Sequence, residues 1–197
     1  MKILFLTNNF EPTKSLYEWL SEREDVFLYS EKLTVEFVKD FDFIVSYNYV
    51  HIIKEDIINL HPNNIVNLHI SLLPYNKGIQ PNLWSFIEDT PKGVTIHRID
   101  KGLDTGEILC QKEVFFDINK ETLKTTYERL HFEIQELFKK NWDNIKNNTI
   151  QHNTTQYNTT QLNTCHTRVQ TAEIIQKYRI TYDEVIADII SRTENQQ

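Results

Sequence analysis

The sequence predicts an α/β fold, a twisted and mostly parallel sheet with helices on both flanks. Short, nearly continuous apolar runs alternate with amphipathic segments from Lys2 to His69. The runs have the length and uniform apolarity of strands covered on both faces. The segments between them are long enough to serve as right-handed crossovers between parallel strands.

Residues 2–7 form the first run, Lys2-Ile3-Leu4-Phe5-Leu6-Thr7. A helix over 11–23 follows, then a strand at 25–29, a helix over 31–39 and a strand at 41–47. A helical segment near 55–60 leads into a strand at 64–69. Residues 74–81 read as a loop, and the short helix after it carries Trp84 and Phe86. Strands at 93–99 and 107–116 are compatible with an antiparallel pair. From 121 to 146, Leu123, Tyr127, Leu130, Ile134, Leu137, Phe138, Trp142 and Ile145 recur at helical spacing, which predicts a long helix capping the sheet. Trp84 and Trp142 fall on apolar helix faces and read as core.

Beyond 148 the composition shifts to Asn, Gln and Thr. Three pentads align there, Gln151-His152-Asn153-Thr154-Thr155, Gln156-Tyr157-Asn158-Thr159-Thr160 and Gln161-Leu162-Asn163-Thr164-Cys165. Without a buried apolar residue in each unit they read as a loop or strand lengthened by duplication. Near the end, Thr181-Tyr182-Asp183-Glu184 fits a capping box opening a helix whose Val185, Ile186, Ile189 and Ile190 share a face. The parent domain and a twin subunit in a homodimer would cover that face equally well. The expected organisation is a catalytic domain over 1–148 and a short extension over 149–197.

Composition bounds the function. With 197 residues, 40% of them apolar, the chain can bury a substantial core. Its net charge of −7 gives no electrostatic footing for nucleic acid. The opening apolar run is shorter than the core of a signal peptide, no stretch approaches a membrane span, and Cys110 and Cys165 make no disulfide framework. A cytoplasmic location is the natural expectation. No HExxH or paired-cysteine spacing points to a metal.

All four glycines, Gly78, Gly93, Gly102 and Gly106, fall in one stretch, where backbone shape must matter most. The same region carries Asn67, His69 and Asp104. On a strand, Asn67 and His69 emerge on one face near its carboxyl end, where α/β sheets bind ligands. Asp104, between two glycines, can turn back toward the imidazole, orient it and favour its protonated form. An amide donor, a base and a carboxylate suit acyl or proton transfer. His97 lies one strand over, as readily structural as part of the site.

Four segments carry a closer likeness: Asn67-Leu68-His69-Ile70-Ser71-Leu72-Leu73-Pro74, then Gly78 with Gln80-Pro81-Asn82-Leu83-Trp84, then Gly93-Val94-Thr95-Ile96-His97, then Leu103-Asp104-Thr105-Gly106. Together they resemble the formyltransferase family, best its sugar N-formyltransferase branch, over about residues 40–148. The resemblance implies a Rossmann-like formyltransferase fold. It also implies transfer of a formyl group from N10-formyltetrahydrofolate, a co-substrate, to the amine of a nucleotide-linked amino sugar, with thymidine diphosphate (dTDP) the expected carrier. Asn67 would donate to the developing oxyanion, His69 would take the proton or support the oxyanion, and Asp104 would hold the imidazole.

By the same resemblance, the pterin is recognised largely by backbone of the loop before the carboxylate, here Ile99, Asp100, Lys101, Gly102 and Leu103. Lys77, Tyr75, Asn9 and Tyr47 stand at loops or strand ends suited to the nucleotide sugar. Each also has a bland reading: a solvated turn for Lys77, packing for Tyr75, a helix cap for Asn9 and core for Tyr47.

Departures from the family narrow the choice. Thr7-Asn8-Asn9-Phe10 lacks the glycine-rich turn of glycinamide ribonucleotide formyltransferases, the runner-up. The tRNA branch is disfavoured by the acidic charge and by the lack of room for its added carboxyl-terminal domain. Gln161-Leu162-Asn163-Thr164-Cys165-His166 looks like a degraded form of a family Gln, then Gly-Thr-Tyr-His element. A Ser71-His69-Asp104 hydrolase lacks a Gly-x-Ser-x-Gly elbow, and a lapsed, non-catalytic nucleotide-sugar-binding module is opposed by the intact triplet.

Overall fold

The computed structural model describes residues 1–150 and 164–194. The chain runs β1 (Lys2–Leu6), a 3-10 turn (Glu11–Thr13) into α1 (Lys14–Ser21), β2 (Asp25–Tyr29), α2 (Val35–Val38), β3 (Phe43–Tyr47), α3 (Glu55–Leu60) and β4 (Ile65–His69). It continues through β5 (Lys77–Gly78), α4 (Pro81–Ile87), β6 (Gly93–Arg98), β7 (Ile108–Glu113), α5 (Leu123–Lys146), β8 (Cys165–His166), α6 (Arg168–Tyr178) and α7 (Ile186–Glu194). Six strands form one sheet in the order β2-β1-β3-β4-β6-β7. The first four are parallel, while β6 runs antiparallel to β4 and β7 antiparallel to β6.

Strand parity divides the core. Ile3, Phe5, Phe43, Val45, Tyr47, Val66, Leu68, Val94 and Ile96 face α1 and α5, meeting Leu16, Leu20, Leu130, Ile134, Phe138, Trp142 and Ile145. Leu4, Leu6, Ile44 and Ile65 face the other way, onto Val38, Phe41, Ile53 and Ile57. Because both faces are covered, the inner strands β1, β3 and β4 are mostly apolar, which is why they stand out in the sequence, whereas the edge strand β2 is largely exposed. The long helix α5 opens on a reciprocal cap, Thr122 Oγ1 accepting from Thr125 N and Thr125 Oγ1 accepting from Thr122 N.

A third cluster joins Leu83, Phe86 and Leu123 to Tyr178, Ile180, Ile186 and Ile189. The apolar face of α7 is therefore spent on the parent domain, through α4 and the start of α5. The capping box before it does not open the helix. Glu184 reaches back to Thr181 N at 3.4 Å but is also paired with Arg192, and helical backbone begins only at Ile186.

Two other expectations change. The predicted helix over 31–39 shrinks to the single turn of α2, capped by Thr34. The expected loop 74–81 contains β5, which pairs in parallel with β8, and α6 had no counterpart in the sequence reading. Of the pentads over 151–165, residues 151–163 lie outside the described residues, and Cys165, which ends the third, belongs to β8. Among those residues, no helix is long and apolar enough to cross a membrane.

His131 of α5 is buried under the sheet with its Nδ1 at the Tyr47 hydroxyl. Burial pushes this imidazole down to about 4. Between about pH 6.5 and about pH 4 the unfolded chain binds a proton here that the folded chain refuses, so stability is full above that window and falls as pH drops through it, by up to about 3 kcal/mol. His131→Gln should flatten this part of the acid limb in urea midpoints taken across the window. An unchanged slope would show that His131 titrates normally.

Candidate active site

Since Val66 and Leu68 point toward α5, Asn67 and His69 must emerge on the opposite face of β4. Antiparallel pairing sets His97 of β6 directly across from Asn67, on that same face. The chain leaves β6 and returns through a tight loop on which Asp104 takes a left-handed backbone conformation, φ 49°. Gly106 is required there, because a side-chain carbon at that position would overlap the carbonyl oxygen of Arg98.

Four side chains converge. Asn67 Nδ2 lies 3.2 Å from His97 Nε2 and 3.4 Å from Asp104 Oδ1. His69 Nε2 lies 3.8 Å from Asp104 Oδ2, and His97 Nε2 lies 3.5 Å from Asp104 Oδ1. Gly78 N donates to Asp104 Oδ2 at 2.9 Å. Gly78 has φ 86°, and a side-chain carbon on it would stand 2.5 Å from the carbonyl oxygen of His166, so only glycine fits between the carboxylate and β8.

The hydrogen bonds fix the protons. His69 Nε2 faces the carbonyl oxygen of Asn76 at 3.3 Å, so Nε2 carries hydrogen and Nδ1 keeps the basic lone pair. His97 Nδ1 donates to the carbonyl oxygen of Arg98 at 2.7 Å, which turns its Nε2 toward the amide of Asn67. Burial holds the His69 imidazole below its ordinary range, with Asp104 the main opposing influence and His97 and Lys77 adding repulsion. Burial would raise the Asp104 carboxyl, yet the His69 and His97 rings and the Gly78 N–H together hold it well below the usual carboxylate range. The result is an anionic carboxylate beside a neutral, proton-accepting imidazole.

Asn67, His69 and Asp104 are thus brought together as expected, with one difference of orientation. The Asn67 amide nitrogen is directed at His97 and Asp104, so donation to an oxyanion requires one of those contacts to be exchanged. His97 joins the cluster as a full member. The parts that sequence reading lacked are backbone groups, the Asn76 carbonyl and the Gly78 N–H, which side-chain motifs do not display.

The remaining candidates separate by burial. Tyr47 is fully buried with its hydroxyl on His131, and it is removed from the substrate contacts: a ring with no exposed surface cannot stack on a base. Asn9 is exposed, with Nδ2 3.4 Å from the Tyr127 hydroxyl. Tyr75 is half-buried. Lys77 is no solvated turn residue but is 8% exposed on β5, and among the described residues its ammonium has no carboxylate partner. Ser71 is buried with its hydroxyl donating to the carbonyl of Tyr75, which rules it out as a nucleophile.

The loop holding Ile99, Asp100, Lys101, Gly102 and Leu103 lies against Asp104 with Leu103 54% exposed. Asp100 Oδ1 shapes it by accepting from Gly102 N and Thr105 Oγ1. Among the described residues, no group of three or more His, Cys, Asp or Glu side chains could hold a metal ion.

A family model described as formyl transferase matches residues 29–141, more than half of the chain and all of this cluster. The chain belongs to the formyl transferase family. This formyl transferase is 39% identical to the formyltransferase PseJ from Anoxybacillus kamchatkensis, solved in complex with UDP-4,6-dideoxy-4-formamido-L-AltNAc and tetrahydrofolate. That match has a TM-score of 0.84 and covers 98% of this chain and 100% of that one. An N-formyltransferase from Helicobacter canadensis, solved with folinic acid and dTDP-3-aminofucose, is 23% identical with a TM-score of 0.71, covering 86% of this chain and 71% of that one. At that identity it speaks to the fold alone. The methionyl-tRNA formyltransferase of Solibacter usitatus is 44% identical over 71 residues, 36% of this chain and 23% of that protein. The first curated relatives are matched over only 17% to 35% of their own lengths.

Proposed function

We propose that this formyl transferase moves a formyl group from N10-formyltetrahydrofolate to the amine of a nucleotide-linked amino sugar. The observation that carries the reading is the Asn67, His69, Asp104 cluster in a chain that matches a UDP-sugar formyltransferase from end to end. That relative favours uridine diphosphate over the expected dTDP, which occurs in a neighbour of only 23% identity. The methionyl-tRNA relatives are matched over about a third to a half of this chain, and a net charge of −7 does not favour tRNA as a partner. The free thiols of Cys110 and Cys165 fit a reducing, cytoplasmic setting.

Bound N10-formyltetrahydrofolate supplies the formyl carbon to the attacking amine. Its pterin fits the exposed loop at 99–103, where the Ile99 and Gly102 N–H groups are already spent on Ile65 and Asp100, leaving recognition to the other peptide groups. His69 Nδ1 takes the proton that the amine nitrogen loses as its bond to carbon forms, and returns it to the departing nitrogen. Asp104 stabilises the imidazolium in between, and Asn67 donates to the carbonyl oxygen.

Lys77, buried on β5 beside the Gly78 that donates to Asp104 and without a carboxylate partner among the described residues, fits the diphosphate of the sugar nucleotide. Lys77→Met should raise KM for the sugar nucleotide by about 10- to 100-fold, the loss of one charge-assisted hydrogen bond, and leave KM for the folate unchanged. The test of the whole reading offers the enzyme N10-formyltetrahydrofolate with UDP-linked and dTDP-linked amino sugars, glycinamide ribonucleotide and methionyl-tRNA, and follows formamide by mass spectrometry. Product from a sugar nucleotide alone supports the proposal, and product from either of the other acceptors alone overturns it.

A further inference from the structure

The carboxyl-terminal segment reaches the site by a route separate from the triplet. Strand β8 pairs with β5 in parallel, Lys77 opposite Cys165 and Gly78 opposite His166. Lys77 N donates to Thr164 O at 2.9 Å, Ile79 N to His166 O at 3.1 Å, and Asn76 N to Thr164 Oγ1 at 3.1 Å. The imidazole of His166 lies flat on Trp84, centroids 3.7 Å apart and planes 6° apart. Trp84 in turn donates Nε1–H to Thr171 Oγ1 of α6 at 3.0 Å. His166 is buried, and its Nε2 stands 3.0 Å from Glu88 Oε1 without an aligned hydrogen bond.

Glu88 passes this contact on. Its other oxygen accepts from Asn76 Nδ2 at 2.9 Å, and Asn76 Oδ1 accepts from Thr90 Oγ1 at 2.6 Å. Asn76 is 1% exposed and left-handed, φ 52°, a conformation that asparagine tolerates better than most residues and that its side-chain hydrogen bonds support here. Its carbonyl oxygen is the acceptor that sets the His69 proton on Nε2. Glu88 therefore clamps the peptide that selects the tautomer of the proposed base, and His166, pinned on Trp84, faces the clamp.

We infer that His166 is a positioning residue for His69, acting through Glu88 and the Asn76 carbonyl. The inference rests on the acid–base role given to His69 above. It makes the segment after residue 163 part of the catalytic apparatus although none of its side chains reaches the triplet.

Two substitutions in the full chain separate positioning from packing. His166→Phe keeps a flat ring on Trp84 and removes the nitrogen facing Glu88, whereas His166→Gln keeps a polar nitrogen and gives up the ring. In ¹⁵N-histidine spectra, with the His69 signals assigned from their loss in His69→Gln, the parent should show His69 fixed as the Nε2–H tautomer. His166→Phe should convert this to a tautomer mixture, and His166→Gln should retain it. Turnover should follow, with kcat down about tenfold in His166→Phe, KM for both substrates within about twofold, and kcat largely recovered in His166→Gln.

Glu88→Leu cuts the same path and should reproduce the His166→Phe signature, adding little when the two are combined; it stands in if His166→Phe does not fold. A fixed parent tautomer in both His166→Phe and Glu88→Leu, or a Gln variant as impaired as Phe, overturns the inference. A parent protein that formylates no amine sinks the proposed function, and the spectra still decide this one.

Discussion

His69→Gln is expected to lower kcat for formyl transfer by about 10²- to 10⁴-fold, the range of a lost general base. The Gln amide can still donate to the Asn76 carbonyl, as Nε2 of the parent ring does at 3.3 Å, so the buried acceptor stays satisfied and the melting temperature should move little. What disappears is the lone pair on Nδ1. In the parent, burial together with His97 and Lys77 keeps the ring neutral at neutral pH, against the opposing pull of Asp104. Its kcat/KM should therefore fall with acid only below the ordinary imidazole range, and this limb should vanish in His69→Gln, leaving the titration of the substrate amine. Steady-state rates across pH, with circular dichroism to confirm folding, check both parts. Turnover within a factor of about three of the parent would remove His69 from proton transfer.

The features legible in the sequence were those set by strand parity and apolar length. Asn67 and His69 share a face because they are two residues apart on a strand, and the inner strands β1 and β3 announce their burial by being apolar on both sides. The same parity accounts for the burial of Tyr47 away from the site. It sits in register with Phe43 and Val45 and so points toward α5, while Ser46, opposite Asn67, faces the site. His97 needed one more fact, the antiparallel pairing of β6 with β4, which no single segment encodes.

Helix α6 carries little sequence signal because its inward positions include Thr171 and Tyr178, which do not read as an apolar stripe, although the Thr167 and Gln170 pair at its start is a readable capping box. The contacts that tie the site together lie beyond any motif. The Gly78 N–H, the Asn76 carbonyl and the parallel pairing of β5 with β8, which joins residues 88 positions apart, act through backbone that carries no side-chain signature.

Asp104→Asn separates the charge of this residue from its shape. Asparagine tolerates the left-handed backbone at 104, and its carbonyl oxygen can keep the hydrogen bond from Gly78 N, so the fold should survive. Asp104→Ala forfeits both, at about 1–2 kcal/mol for the backbone and about 1–3 kcal/mol for the orphaned N–H, and is the poorer probe. With charge alone removed, the imidazolium of His69 loses an anion 3.8 Å away. Two charges about 4 Å apart at an effective dielectric constant near 20 attract by roughly 4 kcal/mol, so kcat should fall by about 10³-fold.

The direction of the pH effect is also fixed. Asp104 is the chief influence raising the His69 imidazole against burial, so its neutralisation should move the acid limb of kcat/KM to lower pH even as the plateau drops. The depressed carboxyl also stabilises the parent fold above about pH 4, a contribution lost as pH falls through its folded value and absent from the Asn variant. A plateau that falls while the limb stays in place would mean that the carboxylate acts on substrate binding and not through the ring. A limb that moves to higher pH would mean that the carboxylate does not favour the imidazolium, and the assignment of Asp104 as the group that readies His69 for protonation would fail.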